Sequence, residues 1–467
     1  MFTHNNFINN NAFTFKSEEN TIGAYGTLSL GYRSFLYVNF QGRNDWTSTL
    51  EKDNRSIFYP SASVSFIPTD AFDGLKNDNV LSYLKVRFGY GTSAGYPDPY
   101  QTRNVLGTAT NAFISNGGDV LNLNFVDDNF GNPNLEPERH REFEFGIDAR
   151  LIKNRIGADL SLYDKESTDL IFPLSLDPST GFTSTTINVA EVSNRGIELG
   201  LTFRPVQTKD WVWDINTNFT QNNNVIEQIG EGLDKFLIDG FTFAGNYAVP
   251  GEEYGVIWTD AVLRDDAGNP IIGANGVFQA APDIAQTGNP NPDWNLNAGT
   301  TLSWKGITFR MLWNYQQGGD MYAGTPSTLL SRGILEETDF DRFVPVIVPG
   351  VLADGSPNNI QVTANQHYWR DLGVFIFENR IYDATHIRLR EVSLAFNLPK
   401  EWLENSPLGN ASLTFSGQNL WFDAFNFPDG ANFDPEVASL GVGNGRGFDF
   451  VTGPTSKKYG ASLRITF

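Results

Sequence analysis

Strict alternation of apolar and polar residues, repeated from one end of the chain to the other, limits what this sequence can fold into. At the C-terminus Tyr459, Ala461, Leu463, Ile465 and Phe467 share one parity, while Gly460, Ser462, Arg464 and Thr466 hold the other. Successive side chains of a β-strand point to opposite faces, so such a segment is a strand with one apolar face. The same period recurs at Ala411/Leu413/Phe415, Phe309/Met311/Trp313/Tyr315, Trp211/Trp213/Ile215/Phe219, Ile197/Leu199/Leu201/Phe203 and Ile156/Ala158/Leu160/Leu162. Earlier in the chain it appears at Phe143/Phe145/Ile147, Leu84/Val86/Phe88/Tyr90, Leu36/Val38/Phe40 and Ile22/Ala24/Leu28/Leu30. With the segments near Ala62, Leu296 and Ile387 the count comes to about thirteen strands. In the segment at Ile387, Leu389 keeps its parity but Val392, Leu394 and Phe396 hold the other, which predicts a β-bulge near Arg390 or Glu391.

The connections between these strands alternate short and long. Short ones fall at Arg33 to Ser34, Ile152 to Arg155, Pro205 to Asp210 and Lys305 to Gly306. Two medium ones, Asp70 to Ser82 and Pro399 to Gly409, belong to the same set, and the second contains a brief helical pattern over Lys400-Glu401-Trp402-Leu403. Between them lie long segments: Thr47 to Ser56, Thr92 to Glu138, Ser167 to Thr186, Asn223 to Pro292, Gln317 to Tyr382 and Phe422 to Ser456. Tight turns at one end and large loops at the other are what a transmembrane β-barrel has, and a soluble sandwich has no reason for the asymmetry.

Composition agrees. No run approaches the ~18 consecutive apolar residues of a membrane helix, and the mean hydropathy of -0.29 is compatible with strands that show one face to lipid and one to water. Aromatic residues reach 13% and glycines number 45, suiting interfacial girdles and tight turns. A net charge of -21 excludes a nucleic-acid partner held through phosphates. The absence of cysteine removes disulfides and thiolate chemistry. Opposite the apolar stripes lie charges of both signs: Glu142, Glu144 and Asp148, Lys85 and Arg87, Arg388 and Arg390. Such a face suits an aqueous lumen. Met1 to Asn10 has neither a basic nor an apolar region, so it is not a secretory signal, and an exported chain would need one upstream.

The motifs that remain carry a resemblance. Gly42-Arg43-Asn44-Asp45-Trp46, Phe58-Tyr59-Pro60-Ser61 and Gly131-Asn132-Pro133-Asn134-Leu135-Glu136-Pro137-Glu138 are followed by Asn188-Val189-Ala190-Glu191-Val192-Ser193-Asn194-Arg195-Gly196. After these come Gly288-Asn289-Pro290-Asn291-Pro292, Ile387-Arg388-Leu389-Arg390-Glu391-Val392 and Ser416-Gly417-Gln418-Asn419-Leu420. In order and spacing the chain resembles the SusC/RagA-like TonB-dependent outer-membrane transporters of Bacteroidota-type bacteria. The resemblance implies an all-β antiparallel barrel of roughly 22 strands, of which residues 1–467 would be the C-terminal part, with plug domain and signal peptide absent. It also implies TonB-dependent import of a bulky nutrient, an oligosaccharide first of all, with a SusD-like surface lipoprotein and the TonB complex as partners. TonB would be reached through the missing N-terminal parts. A passive porin or adhesin barrel and a soluble carbohydrate-active β protein are the alternatives.

No cofactor or metal is expected. Relatives carry a calcium-loop-like acidic run before Gly288, but Arg264-Asp265-Asp266-Ala267-Gly268-Asn269-Pro270 lacks the regular ligand spacing, and His4, His140, His367 and His386 show none either. Glu142 and Glu144, two apart on one strand face, read as a wall pair beside Arg141 or Arg150 rather than as catalytic carboxylates, so the chain is not read as an enzyme. For ligand contact the loop aromatics Tyr254, Trp258, Tyr368 and Trp369 are the candidates, since flat apolar faces stack on sugar rings; packing within the loops is the competing explanation. The run Gly441-Val442-Gly443-Asn444-Gly445-Arg446-Gly447 has no helix after it and reads as a flexible outer loop.

Overall fold

The computed structural model describes residues 16–467 apart from 109–112, 115, 122–123, 231, 370–375, 405, 429, 432, 438, 441–442 and 454. The amino-terminal segment 1–10, with His4, and Gly441-Val442 of the glycine-rich run lie outside the described residues.

Thirteen strands pair with their sequence neighbours in one antiparallel meander. They are β1 (Thr21–Tyr32), β2 (Leu36–Thr47), β3 (Ser56–Phe66), β4 (Leu81–Gly95), β5 (Glu138–Leu151), β6 (Ile156–Ser175) and β7 (Ser184–Gln207). The meander continues through β8 (Trp211–Gln228), β9 (Pro292–Trp304), β10 (Ile307–Gly318), β11 (His386–Asn397), β12 (Asn410–Ala424) and β13 (Lys458–Thr466). Each segment with period-two patterning is one of these strands. The register joins their apolar stripes across the sheet: Leu30 faces Val38, Val38 faces Val64, Val64 faces Phe88, Phe88 faces Phe145, Phe145 faces Leu162 and Leu162 faces Ile197. The stripe goes on through Trp211–Trp304, Leu302–Phe309, Phe309–Leu394 and Leu413–Leu463. Large members of it, Phe40, Phe88, Phe143, Leu201, Trp213 and Phe415, are exposed, an arrangement that water would not tolerate over so wide an area and a bilayer would.

Turn chemistry agrees with the tight end. Arg33 and Ser34 both have positive φ (46° and 60°), as do Lys305 and Gly306 (43° and 90°), the two-residue hairpin geometry whose twist matches the flanking strands. Lys400–Leu403 forms the short helix its pattern predicts. The parity change in β11 is a bulge: Leu312 faces Glu391 but Trp313 faces Leu389, so Arg390 has no partner on β10, and β12 skips it in the same way. The two sheet edges, β1 and β13, do not pair with one another, and both strands are exposed throughout.

Two features go beyond what the sequence pattern predicts. β6 and β7 run on past Ser167, because the register shifts around Asp169, whose φ is 58°, and pairing then resumes from Leu170–Ala190 to Ser175–Ser184. Alternation breaks at such a bulge although the ladder does not. The long loops, expected to be structureless, contain sheets of their own. Phe236–Phe241, Ala244–Ala248, Val256–Thr259 and Ala285–Gly288 form an antiparallel four-stranded sheet. Asp320–Ala323 takes Ile381–Asp383 on one side and Phe448–Asp449 on the other. These strands are too short for alternation to reveal them.

Candidate functional site

The polar face of the meander divides into two sectors. On β4 to β6 it is charged and internally paired. Arg87 donates from Nε to Glu144 at 3.2 Å and from Nη2 to Asp159 at 2.8 Å and Ser161 at 2.5 Å. Glu144 also accepts from Ser161 at 3.2 Å, and Glu142 faces Lys165 across the ladder. The two glutamates are therefore members of a charge-balanced wall. From β8 to β10 the same face is amide-rich, with Asn216, Asn218, Asn222, Asn295, Asn297 and Asn314 alternating with the apolar stripe and the charges Asp214 and Arg310 toward the tight-turn end. Asn314 donates to Asn297 at 3.1 Å, and Tyr163 donates to Asn222 at 3.0 Å.

Above the amide-rich sector the last loop is fastened to the wall by buried charge. Arg388, 1% exposed, pairs with Asp434, whose side chain is 3% exposed, and its Nε lies 3.3 Å from Glu436. Arg390, turned inward by the bulge, donates from Nη1 to Glu436 at 2.6 Å and from Nη2 to Asn314 at 2.9 Å. Asp434 accepts further bonds from Thr455 and from the Glu436 amide. The His386 ring lies 3.7 Å from Glu436. Burial pushes the Glu436 carboxyl up, but His386, Arg390 and Arg388 outweigh it and hold the group at about 2. The pattern Ile387-Arg388-Leu389-Arg390 is legible as a strand; that its arginines grip Asp434-Pro435-Glu436 is a long-range pairing no local pattern reveals.

Three long loops meet in an aromatic cluster. Phe241 and Phe243 come from the Asn223–Pro292 loop, Tyr322 and Phe377 from the Gln317–Tyr382 loop, and Phe448 and Phe450 from the last. Ring centroids lie 5.1 Å apart for Tyr322–Phe377, 5.3 Å for Tyr322–Phe450, 5.5 Å for Phe241–Phe450 and 5.7 Å for Phe243–Phe377. Asp449, fully buried, accepts the Thr325 amide at 2.6 Å and ties the last loop to the helix Gly324–Ser331. The glycine-rich run is pinned rather than flexible over its described part: buried Asn246 accepts from the Arg446 amide at 3.0 Å and donates to the Arg446 carbonyl at 3.1 Å. Gly443, Gly445 and Gly447 line a cavity of about 290 Å³ beside Glu436 and Asp320.

Tyr254 and Trp258 belong to this cap. Tyr254 packs on Val192, Ile226 and Ala248, its carbonyl accepts from Asn291 at 3.0 Å, and burial pushes its hydroxyl up to about 12. Its location is that of a packing residue. Trp258, half-buried, lies under the Lys235 ammonium, 3.8 Å from the ring centroid, and its buried Nε1 has no hydrogen-bond partner. Tyr368 packs against Phe340 with ring centroids 5.3 Å apart and planes tilted by 53°, and Trp369 is 38% exposed; both follow the short helix Ala364–His367, on a different loop from Trp258. The acidic run is a closed turn: Asp265 accepts from the Ala267 amide at 3.0 Å, the Asn269 amide at 2.8 Å and the Asn269 side chain at 3.0 Å. Both of its carboxylate oxygens are occupied by the loop itself.

The remaining motifs meet at the rim. Asn188 accepts from the Glu136 amide at 2.9 Å and donates to the Glu136 carbonyl at 2.8 Å, Asn132 donates to the Thr186 carbonyl at 3.0 Å, and Leu135 is fully buried. Asn289 reaches Glu253 at 2.9 Å and, through its amide, Asp320 at 2.8 Å. They are fasteners between loops and strand ends.

A meander with one uninterrupted exposed apolar face, a polar opposite face and a loop cap at one end is the wall of a transmembrane β-barrel receptor. The chain belongs to the family described as TonB dependent receptor-like, beta-barrel, which residues 2–343 match. It is similar to TonB-dependent receptor P26 of Formosa agariphila, 27% identical over 95% of this chain and 46% of that protein, and to TonB-dependent receptor P3 of the same organism, 25% identical over 97% and 46%. TonB-dependent receptor SusC of Bacteroides thetaiotaomicron is 29% identical over 46% of this chain and 22% of its own length. The fold is shared with the solved structure of the RagAB peptide transporter, with a TM-score of 0.74, 20% identity, and coverage of 97% of this chain and 48% of that one. The SusC/RagA-like resemblance seen in the motifs is thus borne out, and the chain spans about half the length of the curated relatives P3 and P26.

Proposed function

We propose that residues 1–467 form the C-terminal part of the barrel of a TonB-dependent importer in the outer membrane of a Bacteroidota-type bacterium, and that the whole receptor takes up a bulky oligosaccharide under a SusD-like lipoprotein. The observation that carries the cargo class is the amide-rich wall of β8 to β10 beneath the cap, where six asparagines alternate with the apolar stripe and the charges Asp214 and Arg310 fall toward the tight-turn end. Asn side chains with both donor and acceptor atoms match the hydroxyls of an uncharged glycan without favouring an ion. Trp258, half-buried, adds a flat aromatic surface of the kind that sugar rings stack on; Tyr368 and Trp369 are proposed as a second contact, and Tyr254 as their support. The unpaired edges of β1 and β13 favour a wall continued by further strands, since open edges within a bilayer leave backbone groups unsatisfied.

Uptake of labelled oligosaccharides and oligopeptides of graded length, compared between wild-type cells and an in-frame deletion with and without the proton-motive force, tests the reading. Energy-dependent loss of glycan uptake supports it. Loss of peptide uptake alone moves the cargo to peptides, the class that the RagAB transporter carries, and energy-independent uptake replaces the importer by a passive porin. Reading the locus on both sides of the Met1 codon tests the domain assignment, for which an in-frame plug upstream is expected.

A further inference from the structure

Of the twelve neighbour pairings in the meander, that of β3 with β4 is the shortest. β2 and β3 share eleven residue pairs and β4 and β5 share fourteen, but β3 and β4 share five, from Ala62–Tyr90 to Phe66–Val86. On the loop side of Ala62 the two strands are each paired to their other neighbour and not to one another. Pro60 explains the break. Its carbonyl points toward β4, where it accepts from the Thr92 hydroxyl at 2.6 Å. In an antiparallel ladder the N–H and C=O of one residue face the same neighbour, so the N–H that proline lacks is subtracted from this ladder, which stops there. Among the described residues that Thr92 bond is the hydrogen bond spanning the seam.

A cavity lies on each side. The inward one, about 380 Å³, is lined by Ser61, Ser63, Gly89, Glu142 and Glu144. The outward one, about 490 Å³, has Phe58 and Pro60 of β3 on one side, Arg139 and Arg141 of β5 with Glu166 of β6 on the other, and Tyr90 and Thr92 of β4 between them. Tyr90, Thr92, Ser93, His140 and Arg141 line both. The outward crevice is continuous with the apolar band: Tyr90 faces Phe143, and Arg139 and Arg141 share the parity of Phe143 toward the loop end of β5. Their side chains are 61% and 59% exposed, Arg141 paired with Glu166 and Arg139 4.0 Å from Asp169.

We propose that this crevice binds a phosphate-bearing lipid of the outer leaflet, with a headgroup phosphate on Arg139 and Arg141 and an acyl chain along Phe58 and Tyr90 toward the seam. The proposal rests on the reading of the chain as an outer-membrane barrel. A lipid is the occupant because Phe58, Pro60 and Tyr90 belong to the surface that lipid already covers, and because the β5 side of the crevice carries charge at the loop end of that surface. Phosphate is the headgroup chemistry because two arginines two residues apart on one strand face have Cα atoms about 7 Å apart, so both side chains can reach one phosphorylated headgroup, and each offers forked donors. Asp169, 43% exposed and 4.0 Å from Arg139, is a weak competitor for such a group, while Glu166 leaves Arg141 59% exposed and open to a second partner.

The test uses the whole receptor purified from its own outer membrane in mild detergent, with native mass spectrometry of retained lipid. Wild type retains a phosphorylated lipid, R139Q/R141Q retains at least tenfold less, and R195Q, an exposed arginine of β7 that pairs with Asp164 on the same outward face but outside the crevice, retains the wild-type amount. Equal retention in wild type and R139Q/R141Q, or equal loss in R195Q, overturns the proposal. A second measurement needs no variant: delipidated wild-type receptor titrated with lipid A is expected to bind at least tenfold more weakly once the phosphates have been removed enzymatically, and undiminished binding overturns the proposal. If the receptor does not fractionate with the outer membrane, the functional reading fails; if it does and lipid retention is unchanged, the lipid site alone fails.

Discussion

Replacing Arg388 by methionine should release the last loop from the wall. The Arg388 and Asp434 side chains are 1% and 3% exposed, so R388M leaves a buried carboxylate without its cation, a change that costs about 3–5 kcal/mol. The damage is local, because the ladder of β11 with β10 and β12 does not use the side chain. It therefore appears as easier opening of the 422–456 loop, by about two to three and a half decades in the opening equilibrium at 1.4 kcal/mol per decade. Amide hydrogen exchange of the whole receptor in nanodiscs reads this at the Glu436 amide, bonded to Asp434 at 3.0 Å, and at the Val437 amide, bonded to the Asp434 carbonyl at 3.3 Å. R388M/D434L, which removes both charges, should recover most of the protection, short of about 1 kcal/mol for each bond that Asp434 made to Thr455 and to the Glu436 amide. Protection in R388M within a few-fold of wild type would refute the clamp.

Acid should open the same loop. The folded value of Glu436, about 2, lies below its ordinary 4.5, so its contribution is complete above pH 4.5 and is lost as pH falls from there through about 2; loop exchange, corrected for intrinsic rates, should rise over that window and E436Q should abolish the dependence. By contrast R87Q should cost less than about 1 kcal/mol in thermal unfolding, because the partners of Arg87 are half-exposed on the lumen wall. Arginine at Leu201, on the outward stripe, should cost about 2–4 kcal/mol in refolding into bilayers if the site lies near mid-membrane, while lysine at Asn218 on the opposite face should leave refolding unchanged. W258A should weaken glycan binding with no change in barrel folding, measured by calorimetry and heat-modifiable mobility.

The barrel strands were legible because membrane strands advertise themselves twice, by alternation and by turn length. Leu160, Leu162 and Ile197 alternate with Ser161 and Glu198 over enough residues to fix both strand and face, and even the irregularity at Arg390 showed as a change of parity. The cap was not legible. Ala244–Ala248 is buried along its whole length, so it has no polar face to alternate with, and its partners are only four to six residues long. The clamp escaped for another reason: Arg388 and Asp434 are 46 residues apart, and nothing near Asp434 distinguishes it from the other acidic residues of a chain with a net charge of -21. Of the aromatic candidates, sequence could name Tyr254 and Trp258 as neighbours but not tell the packed ring from the one with an unpartnered N–H.

The four buried apolar clusters all belong to the loops and the strand ends that hold them. Met321, Ala323 and Phe433 center one, Ile257, Tyr322 and Phe448 a second, Val192, Ile226 and Ala248 a third, and Ile272, Val348 and Val362 a fourth. The wall has no such core among the described residues, because its apolar side chains face outward. The wall depends on lipid and on the ladder, whereas the cap excludes water by packing loop against loop, as a small soluble domain does. The aromatic cluster at Tyr322 joins three loops, and the Arg388 and Arg390 pairs fasten one of them to β11, so a cargo that shifts one loop must either carry the other two along or break ring contacts at 5.1–5.8 Å. The ion pairs tie one loop to the wall, while the ring contacts tie all three loops to one another. Opening at the mouth should therefore proceed by release at Asp434 and Glu436 with the three loops moving as one body, and the wall beneath them need not change its register.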